Sequence, residues 1–153
     1  MRTHLVIVIL TLSTLGNLQA QRVMSIPEAR EAGMTREGMD SLYMSAFNMQ
    51  DTTLEAFPGQ TEVFMAQWDS TLNHLKSYLI AHGLRFELGQ KMTYRSFFSK
   101  DGHMEHFHHL FKPAIDERKE KQFDDLVDTF FRSFVFPMVP DQPFRQCGTT
   151  AME

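Results

Sequence analysis

Cysteine is almost missing from this chain: Cys147 is the only one in 153 residues. A single thiol excludes an internal disulfide framework and a cysteine-built zinc ribbon. Glycine (8) and proline (6) are sparse and scattered, so the chain is neither collagen-like nor of low complexity. No charge sign dominates. Fifteen Lys+Arg stand against nineteen Asp+Glu, a formal net charge of −4, which argues against a nucleic-acid partner. Long apolar runs are absent too: residues 5–12 fall far short of the roughly 20 residues a membrane-spanning helix needs. Nucleophile and nucleotide signatures (G-x-S-x-G, H-E-x-x-H, the P-loop, G-x-G-x-x-G) do not occur.

What is there begins with a secretory pattern. Arg2 and His4 form a basic head, residues 5–12 an apolar run, and Leu18-Gln19-Ala20 a cleavage site before Gln21. No cysteine follows the run, which excludes a lipoprotein anchor. The expectation is a secreted or periplasmic product with no membrane span once the signal, residues 1–20, is removed. In such an oxidising compartment Cys147 is unpaired, either as a small partly buried hydrophobe or as a free thiol open to an intermolecular disulfide.

Residues 21–34 show no clear period and read as an arm or a short frayed helix. Met39, Leu42, Tyr43, Ala46 and Phe47 recur at helical spacing behind Thr35, predicting a helix over about 35–48. A connector leads to a second helix over about 61–82, with Thr61 as its cap. Its stripe is Phe64, Trp68, Leu72, Leu75 and Leu79, and Gly83 sits where a left-handed residue would end it. The period then falls to two. Residues 84–112 read as a hairpin around Asp101-Gly102, a pair suited to a two-residue type I′ turn. That turn sets Lys100 opposite His103, Phe97 opposite His106, Arg95 opposite His108 and Tyr94 opposite His109. Met92, Tyr94, Phe98, Phe107 and Phe111 then share the core face, while Thr93, Arg95, Phe97, His106, His108 and Leu110 share the other. Asp116 caps a helix over about 117–133 with Phe123, Leu126, Val127, Phe130 and Phe134 on its stripe. Residues 144–150 read as a last strand. The fold class is α+β: one domain over residues 35–153, a small antiparallel sheet of hairpin plus final strand, packed by a helix and preceded by two amphipathic helices.

Residues 90–150 carry a strand ending in Phe98-Ser99-Lys100-Asp101-Gly102, a return strand, an acid-capped helix and Phe134-Val135-Phe136-Pro137. This stretch resembles the carboxy-terminal domain of TonB-type energy transducers, with their β-β-α-β order, DKDG-like turn and W-x-F-x-P-like helix exit. Phe134 stands at the tryptophan position, Phe136 at the phenylalanine, and Pro137 falls one place early. The resemblance implies a fold, and binding through a free sheet edge. The sequence shows neither an anchor helix nor a proline-rich linker, so it does not imply energy transduction. The pattern as a whole is also similar to small exported bacterial proteins, a likeness that implies no activity.

Four histidines, His103, His106, His108 and His109, fall within seven residues. On a strand His106 and His108 share a face, where two imidazoles suit Zn²⁺ or Cu²⁺. Against this, Arg95 lies opposite His108, and no third ligand stands nearby on that face. A solvent-facing strand rich in polar aromatics is the plainer reading, with a pH-sensitive surface beside it. The methionines at 34, 39, 44 and 49 step about 140° around a helix, so they share no face and read as core filling rather than a copper carrier. Asp124, Asp125 and Asp128 read as a solvated acidic face. Of the fourteen phenylalanines, Phe97, Phe131 and Phe144 lie off the core stripes and are candidates for an exposed partner surface. The sequence thus favours a non-enzymatic module without a cofactor, binding an unknown protein or peptide. The alternatives are a metal protein using the 103–109 histidines, and a small carrier of an apolar ligand.

Overall fold

The computed structural model describes residues 22–48 and 54–153, so the expected secretory signal lies outside the described residues. In chain order the elements are β1 (Val23–Ser25), α1 (Ile26–Glu31), α2 (Arg36–Leu42), β2 (Met44–Ser45), α3 (Thr61–Ala81), β3 (Lys91–Phe98), β4 (Met104–Lys112), α4 (Glu117–Ser133) and β5 (Phe144–Ala151). The strands form one sheet in the order β1-β4-β3-β5-β2. β3 runs antiparallel to β4 and β5, whereas β1 and β2 join the outside in parallel. The architecture is α+β as expected, but the sheet is mixed rather than antiparallel. No described helix is long and apolar enough to cross a membrane.

The long elements follow their own sequence. On α3 the residues Phe64, Trp68, Leu72, Leu75 and Leu79 are all buried. The helix closes with Gly83 in the left-handed region, Gly83 N–H donating to Ile80 and Leu84 N–H to Leu79. That pair of bonds satisfies two carbonyls the helix end would otherwise orphan. Its start departs from expectation: Gln60, not Thr61, is the N-cap, and no side chain caps it. Asp116 does cap α4, accepting from the Lys119 N–H at 2.9 Å. These two helices cover the core face of the sheet, where Trp68, Tyr94, Phe98, Phe107 and Phe123 belong to one cluster.

The hairpin reaches the expected register by another route. Gly102 is the only turn residue with positive φ, so Asp101-Gly102 is not a type I′ pair. The loop has three residues, closed by Ser99 N–H to the His103 carbonyl, with Gly102 N–H bonded back to Ser99. A bulge between Phe97 and Phe98 then shifts the pairing by one and restores Phe97↔His106, Arg95↔His108 and Tyr94↔His109. Gly102 is irreplaceable for two reasons. Its φ is +79°, and a Cβ there would meet the Phe136 carbonyl oxygen at 2.8 Å. Gly102→Ala is expected to cost about 1–3 kcal/mol, read from the urea midpoint. An unchanged midpoint would mean that the 134–137 segment gives way freely.

The amino-terminal third departs most from expectation. Residues 22–34 are no arm: Val23 and Met24 are buried in β1 against β4, and α1 follows directly. Ser25 and Glu28 form a capping box there, a signal present in the sequence. The helix expected over 35–48 stops at Leu42, which is 67% exposed. Tyr43 turns extended, and Met44 and Ser45 pair with Phe144 and Arg145 instead. Tertiary pairing overrides a helical period this short. Ala46 and Phe47 still reach the core, but from an extended chain. As a result α2 lies across the second face of the sheet, where Met39 and Tyr43 cluster with Phe97. Helical cover on both faces, rather than one, is what builds the site below.

Candidate functional site: an arginine-lined groove beside β5

The second face of the sheet, expected to be open to solvent, is roofed in part by α1 and α2. His108 on β4 is therefore only 1% exposed. Its Nε2 finds no hydrogen-bond partner among the described residues, and neither does the buried Nδ1 of His106. Burial holds the His108 imidazole down to a pKa of about 4, helped by the nearby His106, Arg95 and His109. His106 is lowered for the same first reason, burial. Both rings are thus neutral near pH 7.

Beside them lies an unbalanced set of charges. Asp40 on α2 accepts from Arg95 on β3 at 3.0 Å and from Arg145 on β5 at 3.0 Å, and Arg36 approaches it at 3.6 Å. Arg145 also donates to the Tyr43 carbonyl, tying β5 to the end of α2. One carboxylate therefore serves three guanidinium groups. Two hollows open here and share Ile26, Arg30, Arg36 and Arg95. The smaller, about 410 Å³, reaches His108; the larger, about 630 Å³, runs along β5 from Arg145 to Thr149. The molecule as a whole is acidic, so this groove is a local reversal of sign.

β5 forms one wall, and its outer side is largely unpaired. β2 covers only Phe144 and Arg145; beyond them no described strand pairs with the outer side of residues 146–151. The Arg145 carbonyl accepts from Ala46 on the β2 side. Backbone groups alternate sides along an antiparallel strand, so those of Cys147, Thr149 and Ala151 also point outward. Cys147 is a free, exposed thiol in this groove, opposite Arg95 in the ladder.

The four clustered histidines do not converge. His103 sits exposed beside the turn, and His106 and His108 share the groove-side face with ring centroids 6.0 Å apart. His109 faces the other way, its Nε2 2.6 Å from Asp124 on α4, with Glu120 3.6 Å from Nδ1. Among the described residues no three His, Cys, Asp or Glu side chains are grouped to hold a metal ion. Asp124 is accordingly not a solvated face residue, and Asp128 pairs with Arg22 and Arg132; only Asp125 fits that reading. Burial raises the Glu120 carboxyl pKa, and His109 opposes the shift.

Phe97, Phe131 and Phe144 do not form an exposed surface: all three are buried. Phe131 lies one turn after Val127 on the core side of α4, and Phe144 stacks on Phe98 at 4.9 Å. Phe97 sits under Tyr43 at 5.1 Å, on the face that α2 covers. The groove residues Arg30, Arg36, Asp40 and Arg145 went unrecognised in the sequence. They come from three separate elements, and apart from the i,i+4 spacing of Arg36 and Asp40 no pattern along the chain links them. Comparison of the chain with protein-family models, curated proteins and solved structures finds no match.

Proposed function

We propose that this protein is a non-enzymatic binding module that takes an extended, acidic segment of a partner protein as an added strand along β5. The observation that carries the reading is the unpaired outer side of residues 146–151 lying against an arginine-rich groove. An incoming strand would bond to the outward backbone groups of Cys147, Thr149 and Ala151, continuing the sheet where β2 stops. Its alternate side chains would reach Arg30, Arg36 and the Arg95–Arg145 pair, which explains the preference for acidic residues. The resemblance of residues 90–150 to TonB carboxy-terminal domains, which implies sheet-edge binding, points the same way. So does the amino-terminal export pattern, which would place the encounter in the periplasm or outside the cell. The metal and apolar-carrier readings draw no such support: among the described residues no third ligand joins His106 and His108, and the walls of both hollows carry charge.

The test is a single edge substitution. The Thr149 N–H points away from β3, so Thr149→Pro removes a docking donor and leaves the backbone bonds to β3 in place, at the loss of the exposed hydroxyl contact with Thr93 at 3.1 Å. A doubly capped heptapeptide of alternating valine and glutamate is expected to bind the wild type by fluorescence anisotropy. Losing one edge hydrogen bond at about 0.5–1.5 kcal/mol should weaken it by about two- to tenfold in the variant. Equal binding to both proteins, or none to either, would defeat the reading.

A further inference from the structure

The hollow over His108 has a chemistry of its own. It lies between the end of α1, the start of α2 and the cross-strand neighbours Arg95 and His108. His108 lines it, and the buried Nε2 of that ring has no hydrogen-bond partner among the described residues. A polar atom left so keeps the cost of its lost hydration, and a ligand able to pair with it recovers that cost. Arg30, Arg36 and Arg95 stand around it against Glu37. Asp40 engages Arg36 and Arg95, and Arg30 has no carboxylate within ion-pair distance among the described residues.

Each class of ligand meets these groups differently. A metal ion would sit among fixed cations, with one imidazole and a single carboxylate in reach. A purely apolar molecule would leave the His108 nitrogen unpaired and cover guanidinium groups without replacing their hydration. A carboxylate accepts from the imidazole N–H with one oxygen and from a guanidinium fork with the other. Ile26, Ala29 and Met34 add apolar wall against which a short hydrocarbon stem packs.

We propose that this hollow is a carboxylate seat, in which His108 and Arg30 hold one carboxyl group carried on a short aliphatic stem. The carboxyl is that of a free small dicarboxylate: a strand added along β5 would lie three strand positions, about 14 Å, from β4, beyond the reach of a glutamate side chain. The seat rests on His108 and the arginines and stands apart from the binding function proposed above.

Histidine-selective ¹⁵N labelling of the full chain separates these cases. Three probes are used: succinate, the capped valine–glutamate heptapeptide, and its valine–glutamine counterpart. Succinate is expected to shift the His108 ring nitrogens saturably, and both peptides to leave them unmoved. Arg30→Gln, at an exposed position, is expected to weaken the succinate effect about tenfold, the usual loss for one charge-assisted hydrogen bond. His108→Phe, which keeps a ring in the site, should do the same by calorimetry. Silence of the His108 resonances toward succinate overturns the seat, as does a succinate shift that Arg30→Gln leaves unchanged. Failure of both peptides to bind bears on the β5 reading alone and leaves the succinate result to decide the seat.

Discussion

Truncating Phe98 to alanine is expected to lower stability by about 3–5 kcal/mol, the range for an aromatic ring removed from a packed core. Phe98 is fully buried, and its ring meets Trp68, Phe131, Phe136 and Phe144 from four directions. Those neighbours come from α3, from α4, from the segment after α4 and from β5. No one of them can move into the space without leaving its own contacts, so collapse is resisted and the cavity term stays large. For a domain of this size the loss corresponds to a fall in Tm of roughly 10–20 °C. Phe98→Leu, which refills much of the volume, should recover about half. A drop below 1 kcal/mol for the alanine variant would show that the core is not packed as described.

Acidification should destabilise the protein through His108. Its folded pKa is about 4, against 6.5 for an unperturbed histidine. Because the folded value is the lower one, the unfolded chain binds the proton first as pH falls. The stability is therefore complete above pH 6.5 and is lost progressively down to about pH 4. A shift of this size is worth about 3 kcal/mol in all. The cause is first burial, then the cations and imidazoles around the ring, with Asp40 already engaged by Arg95. His106 shifts in the same direction and adds to the trend. Urea midpoints at pH 7, 6, 5 and 4 should fall more steeply for the wild type than for His108→Phe. Equal slopes would mean that His108 is not a buried neutral ring.

The histidine run illustrates how far sequence reasoning carried. Alternation alone put His106 and His108 together and Tyr94 opposite His109, and the register agrees. It did not say that helices would lie over that face, because the cover comes from α1 and α2, more than fifty residues earlier in the chain. The correct register also arose from two departures that cancel, a three-residue loop and a bulge, neither of which hydrophobic periodicity encodes. Phe97 misled because it lies on the less apolar face of the hairpin yet is buried by α2, far away in sequence; Phe131 misled because the buried stripe of α4 runs through Phe123, Val127 and Phe131, while Phe130 and Phe134 flank it.

By itself the sequence determined the elements whose signals are local and repeated. The twenty-one residues of α3, the hairpin strands, the Asp116-capped α4 and the last strand all rest on many residues that agree on one period. Tertiary structure alone decided the rest. β1 and β2 have three and two residues, too short to show any period, and exist because β4 and β5 offer them unpaired backbone. The same pairing ends α2 early, lays it over Phe97, and brings Arg36, Arg95 and Arg145 around one aspartate. A charge cluster assembled from three elements has no signature along the chain; most of its energy lies in contacts between residues some fifty to a hundred positions apart.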